Sequence, residues 1–257
     1  MAQAIGNIDS VAVTRAEGTS CAVVVCEHAA CAIPDAYGDL GLDADARRSH
    51  IAWDPGALPV AERLAARLDA VLVAGTVSRL VYDLNRPPEA PDAMPAISET
   101  TRIPANAALS QADRLARTAR WYDPFEAELA TQITRRQAPL LVTIHSFTPV
   151  YKGRPRTVDI GVLHGEDARL ADAMLACAAA HTGADVQRNE PYGPGDGVLH
   201  TLLRHAVPQG HPNVMIEIRN DLIATPEAQT AMGDMLAGWL TDAFAATGLP
   251  GDVACSA

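Results

Sequence analysis

The sequence predicts an α/β fold of three layers (α/β/α), with a mostly parallel mixed sheet between two layers of helices. Three observations carry this. Short apolar runs alternate along the chain with longer stretches of helical period, as in strand–helix–strand units. The runs are continuously apolar, which implies burial on both faces. Finally, His, Glu, Asp, Asn and Arg gather just beyond the ends of four runs, where ligands sit in open α/β sheets.

The elements follow in order. Residues 21–26 (CAVVVC) predict the first strand, which ends at Glu27-His28. Residues 58–68 space apolar positions three and four apart, with Glu62, Arg63 and Arg67 opposite, and predict an amphipathic helix. Residues 71–77 (VLVAGTV) predict a strand, followed by a further apolar run at 80–84. Residues 87–106 are rich in Pro, Ala and polar groups and lack a period, as a functional loop does. Ser110 caps a helix reaching about residue 137, with a kink or break at Pro124. Strands follow at 140–144 and 158–163, a weaker one at 186–189, and another at 214–218. Helices are predicted at 166–181, 197–206 and 226–246, the last capped by Thr225 with Pro226 in its first turn. No composition break divides the chain, so residues 1–257 read as one domain.

The 257 residues carry 31 acids against 20 bases, a formal net charge of −11. Nucleic acid and anionic membrane surfaces are recognised through clustered Lys and Arg, so neither is an expected partner. No apolar run approaches the roughly 18 residues of a membrane span, and residues 1–20 lack the features of a signal peptide. The expectation is a cytoplasmic protein acting on a small molecule, with its oligomeric state open. Lys152 is the only lysine, so cationic contacts to a substrate fall to arginine. The cysteines (Cys21, Cys26, Cys31, Cys177 and Cys255) are odd in number and form no CxxC pair, so no disulfide framework is expected.

His28 and His145 each follow a strand. One such histidine commonly caps a loop. Two with an acid nearby read as nitrogen ligands to zinc, with a carboxylate third and water in the open position; another divalent metal is the alternative. Asp54, in His50-Ile51-Ala52-Trp53-Asp54-Pro55-Gly56, reads as that carboxylate or as a cap of the helix at 58–68. Glu217 sits in a run that otherwise reads as buried, where a lone carboxylate is costly. It reads as a general base and acid, or as half of an ion pair with Arg219 or another Arg. Asn85-Arg86, stiffened by Pro87-Pro88, suits a carboxylate. Arg79 either joins that pocket or pairs with Asp83, and Arg219 is a further substrate contact. His50, Ser146 and His200 are candidates for the surrounding shell. Gly193-Pro194-Gly195-Asp196-Gly197 lacks the pattern of a nucleotide site.

Five strings in register resemble the N-formylglutamate amidohydrolase family. They are Glu27-His28-Ala29 with Ala32-Ile33-Pro34, His50 with Trp53-Asp54 and Gly56-Ala57, Ser78 through Pro88, His145-Ser146-Phe147, and Glu217 through Leu222. The resemblance spans about residues 22–223. It implies a zinc-carboxypeptidase-like fold and hydrolysis of the amide bond of an N-acyl amino acid such as N-formylglutamate. It also implies that His28 and His145 bind the metal, Glu217 serves as base, and Asn85 and Arg86 grip the substrate carboxylate. Wider relatives carry Glu three residues after the first His. Here that position is Cys31, so the third ligand is Asp54, with Cys31 and His50 as alternatives. Closer relatives read Ser-Asn at Ala30-Cys31, which puts the substrate preference in question.

Two other readings belong to different classes. A thiol hydrolase would use Cys26 or Cys31 as nucleophile with His28 or His145 as base. A carboxylate-binding protein would keep the fold without the chemistry.

Overall fold

The computed structural model describes residues 8–253. One sheet contains seven strands: β1 (Val11–Thr14), β2 (Ala22–Cys26), β3 (Val71–Gly75), β4 (Leu140–Phe147), β5 (Ile160–Leu163), β6 (Val186–Arg188) and β7 (Asn213–Arg219). Their spatial order is β1-β3-β2-β4-β7-β5-β6. The inner four, β3, β2, β4 and β7, run parallel. β1 lies antiparallel to β3 at one edge. At the other, β5 runs antiparallel to β7, and β6 runs parallel to β5. The sheet is thus mixed and mostly parallel, as its sequence predicts.

The helices are α1 (Ala57–Leu68), α2 (Gln111–Arg117), α3 (Asp123–Thr134), α4 (Arg169–His181), α5 (His200–His205) and α6 (Pro226–Thr247). Strand residues point alternately to two cores. Val24, Val142, Val214 and Ile216 pack with α1, α4 and α6 on one face. Val25, Val73, Leu141 and Met215 meet Phe125, Leu129 and Leu202 of α3 and α5 on the other. Burial on both sides is why these strands read as continuously apolar. Among the described residues, no helix is long and apolar enough to cross a membrane.

Several boundaries and one element differ from expectation. Residues 80–84 are not a strand. They form a buried turn, in which Ser78 Oγ donates to the Ala52 carbonyl at 2.8 Å and accepts from Leu80 N. Leu80, Val81 and Leu84 are apolar because the turn packs into the core. The helix opened by Ser110 is interrupted by a π-helical turn at Thr118–Tyr122, and α3 begins with Pro124 in its first turn. It ends at Thr134, short of residue 137. The segment 87–106 contains a two-stranded ribbon (Ile97–Ser98 with Thr101–Arg102) and a short helix, Pro104–Ala107. β4 runs on through His145 to Phe147, so His145 lies within the strand.

The geometry that matters for function lies at the carboxyl end of the sheet. Glu217 of β7 is the direct cross-strand partner of His145 on β4. Two residues back along each strand, Met215 and Thr143 are also paired. Alternation therefore puts Glu217 on the face of Met215, where α3 and α5 pack.

Candidate metal and catalytic site

β2 delivers the chain to Glu27 and His28, which lie in the turn just past Cys26. This turn passes close over the end of β3. A Cβ on Gly75 would come 2.1 Å from the Glu27 carbonyl oxygen, so glycine is required there. Asp54 reaches the same place from the other side. Its backbone N–H donates to the His28 carbonyl at 3.0 Å. The N-cap of α1 is Gly56, at φ 82°, and no side chain caps the helix. The helix-cap reading of Asp54 therefore gives way to a carboxylate turned towards the histidines.

Three buried side chains converge. Asp54 Oδ2 lies 2.9 Å from His145 Nδ1 and 3.3 Å from His28 Nδ1, and it accepts from the Ser146 backbone N–H at 3.2 Å. One ligand atom from each of His28, Asp54 and His145 falls within 4.8 Å of the others. The imidazoles meet edge to face, with centroids 4.9 Å apart. Each also presents its Nε2 to a second buried carboxylate: His28 to Asp83 Oδ1 at 2.7 Å, and His145 to Glu27 Oε2 at 3.1 Å. Carboxylates behind histidines fix ring orientation and tautomer at metal centres. Two Nδ1 atoms and one carboxylate, with the His28 ring hydrogen-bonded from behind by Asp83 and the His145 ring faced by the Glu27 charge, fit a divalent ion.

Electrostatics point the same way. Burial and Arg79 press the His28 pKa down, but Asp83 and Asp54 overcome them and raise it. At His145, burial is outweighed by Glu27 and Asp54, and the pKa stands well above that of a free imidazole. Against its own burial, Asp54 is held far below the usual carboxylate range by the two histidines. The cluster thus attracts positive charge, which protons or a cation can supply.

Glu217 is buried beside this cluster, and among the described residues its Oε2 has no hydrogen-bond partner, as is also the case for the two Glu27 oxygens next to it in the cluster. Arg219 does not pair with it: its guanidinium reaches Asp159 at 2.7 Å and Asp221 at 2.8 Å. Burial pushes the Glu217 pKa up to about 7, with a smaller push from Asp54, against the pull of His145, His28 and Arg79. An unpartnered buried carboxyl calls for a specific explanation.

The cluster floors a cleft of about 280 Å³, which Glu217, Ser146, His50, Arg79, Asn85 and Arg86 also line. Arg79 spans Asp83 (2.7 Å) and Asp54 (3.6 Å). Asn85 faces the cleft, but its amide is engaged. Nδ2 donates to the Val198 carbonyl, and Oδ1 accepts from Thr201 N at 3.0 Å. Arg86 pairs through Nε with Asp92 at 2.7 Å. Ser146 Oγ donates to the Pro55 carbonyl, and His50 Nε2 meets Glu99 at 2.9 Å. Two candidates stand apart from the cleft: Arg219, and His200, whose Nε2 bonds Tyr122 Oη at 2.7 Å. Cys31 does not line the cleft either. Cys26 is fully buried, and burial raises its thiol well above the ordinary range, so neither thiol is placed as a nucleophile.

Sequence reasoning assigned no role to Glu27 or Glu99. Glu27 had a signal, being an acid adjacent to His28 at a strand end. Glu99 had none, because its place over the cleft depends on the ribbon at 97–102.

A family model described as N-formylglutamate amidohydrolase matches residues 20–224. The crystal structure of gene product Atu2144 from Agrobacterium tumefaciens is similar, with 51% identity and a TM-score of 0.91 over 94% of this chain and 97% of that one. That of N-formylglutamate amidohydrolase from Ralstonia eutropha JMP134 shares the fold at 20% identity, with a TM-score of 0.58 over 93% of this chain and 98% of that one. No curated protein matches the chain. The family match covers most of the sequence, cluster and cleft included, and the chain belongs to the N-formylglutamate amidohydrolase family.

Proposed function

We propose that the protein is a zinc-dependent amidohydrolase that cleaves the amide bond of an N-acyl amino acid, N-formyl amino acids such as N-formylglutamate above all. The observation that carries this is the buried His28–Asp54–His145 cluster with the unpartnered Glu217 beside it, at the floor of one cleft. His28 Nδ1, His145 Nδ1 and an Asp54 carboxylate oxygen would hold the ion, and Asp83 and Glu27 would orient the rings from behind. When bound, zinc supplies a Lewis acid that acidifies a water molecule and polarises the scissile carbonyl.

The chain's own groups do the rest. Glu217 takes a proton from the attacking water at its unpartnered Oε2 and gives one to the leaving nitrogen. A carboxyl with its pKa at about 7 can do both near neutral pH. Arg86 takes the amino-acid carboxylate with the guanidinium N–H groups not engaged by Asp92 and the Asn85 carbonyl. Arg79 holds Asp83 and Asp54 in place and lends positive charge to the cleft wall. Asn85 sets the position of Arg86, whose Nη1 donates to the Asn85 carbonyl at 2.9 Å.

The test is turnover of N-formyl amino acids by wild type and by Glu217→Gln. The expected result is hydrolysis by wild type and a loss of about 10²–10⁴-fold in kcat for the variant at unchanged metal content. Comparable kcat in both proteins would contradict the role of Glu217.

A further inference from the structure

One wall of the cleft is aromatic. Phe147, Tyr151 and Tyr192 line it. The guanidinium of Arg156, which does not itself line the cleft, lies against all three, 5.3, 4.6 and 4.8 Å from their ring centroids. Ring faces hold a cation without supplying a counter-charge. Arg156 Nη2 donates to Tyr192 Oη at 2.9 Å, and Nη1 donates to the Thr148 carbonyl at 3.3 Å. Among the described residues, no carboxylate pairs with Arg156, so its charge is directed at Tyr192.

The sheet decides where Tyr192 stands. Gly161 of β5 is the cross-strand partner of Glu217, and side chains at paired positions share a face. Gly161 has no side chain, and another part of the chain takes the space: a Cβ there would come 1.9 Å from the Glu190 carbonyl oxygen. The segment leading to Tyr192 therefore crosses the sheet beside Glu217. Burial raises the Tyr192 pKa to about 12, Glu217 adds to the rise, and Arg156 opposes it. The phenol is thus protonated at neutral pH. Its oxygen accepts from Arg156 while, among the described residues, nothing accepts its hydrogen. The hydroxyls of Ser146 and Thr148, which also line the cleft, are committed to the Pro55 and Val150 carbonyls.

We propose that Tyr192 is a catalytic residue whose hydroxyl donates a hydrogen bond to the oxygen of the scissile carbonyl, with Arg156 as its positioning residue. As the water oxygen bonds to the acyl carbon, the π pair of the carbonyl moves onto that oxygen. The C–N bond then breaks as Glu217 returns a proton to the nitrogen. Tyr192 keeps its own proton throughout. A donor already aimed at the place where charge develops favours the transition state over the ground state, and a hydroxyl whose oxygen accepts from a cation is a stronger donor. This rests on the assignment of the cleft to amide hydrolysis.

The experiment measures kcat and KM, on the N-formyl amino acid that wild type turns over fastest, for wild type, Tyr192→Phe, Arg156→Gln, Arg156→Lys and the double variant Tyr192→Phe with Arg156→Gln. In parallel, the Kd of the same compound is measured by calorimetry on Glu217→Gln, with and without Tyr192→Phe. Phenylalanine keeps the ring against Arg156 and removes only the hydroxyl. The expected result is a fall in kcat of about 10²–10³-fold in Tyr192→Phe, with Kd changed by no more than about threefold. Arg156→Gln is expected to lower kcat by a smaller factor, Arg156→Lys to recover part of it, and the double variant to be no slower than Tyr192→Phe alone. A kcat in Tyr192→Phe within about threefold of wild type, or a Kd weakened as much as kcat falls, would overturn the proposal. Losses that multiply in the double variant would overturn the part given to Arg156. If wild type hydrolyses and Tyr192→Phe matches it, this proposal alone falls; if wild type hydrolyses no N-formyl amino acid, the assignment of the cleft falls and this proposal with it.

Discussion

At the scale of single residues, the site is a set of acids arranged to make two histidines useful. Asp83 and Glu27 lie behind His28 and His145, and Asp54 lies in front of both. An imidazole whose far nitrogen donates to a carboxylate is a better electron donor at its near nitrogen and has a single tautomer. Asp83→Asn is therefore expected to weaken metal binding by about 10–100-fold, measured by competition with a chelator, while circular dichroism shows the fold retained. Unchanged affinity would show that Asp83 does not support the metal site. Much of this set was legible in the sequence, because histidine and acid at strand ends are conspicuous. The dual role of Asp83 was not, since it depends on Arg79 and His28 reaching one carboxylate from separate segments. The engagement of Asn85 by Val198 and Thr201, more than a hundred residues away, was equally invisible.

At the scale of elements, parallel strands bring remote segments to one edge, and local devices fix where each segment ends. Asp69 is such a device at the end of α1. It adopts φ 50° as the C-cap, and its carboxylate accepts from Thr19 N and Oγ1 and from Arg15. These bonds, those from Thr19 foremost, hold its pKa at about 2. A carboxyl depressed on folding contributes stability that is present above its unfolded pKa, about 3.9, and lost as pH falls through the folded value. The stability difference between wild type and Asp69→Asn, followed by thermal melts, is thus expected to be constant above about pH 5 and to shrink towards pH 2. A difference that grows on acidification would contradict it. The inner strands were legible because burial on both faces makes them continuously apolar. β1 was not, since it is a four-residue edge strand alternating between half-buried and exposed positions. The turn at 80–84 misled for the opposite reason: a buried turn is as apolar as a strand, and composition does not separate them.

At the scale of the whole molecule, an acidic chain builds a local place for positive charge. Six carboxylates line the cleft or stand behind its histidines: Asp54, Asp83, Glu27 and Glu217 around the two rings, and Asp92 and Glu99 further out on the cleft wall. The sheet order brings them together, with β2 and β7 flanking β4. The sequence shows that these segments are strands; that β5 turns antiparallel against β7 is decided by packing between distant segments. On this reading the cluster holds one metal ion. Elemental analysis of the purified protein decides the matter. The expected result is about one zinc per chain in wild type and a large loss in Asp54→Ala and His145→Ala, with turnover lost in proportion. Full turnover from wild-type protein shown to contain no metal would contradict it.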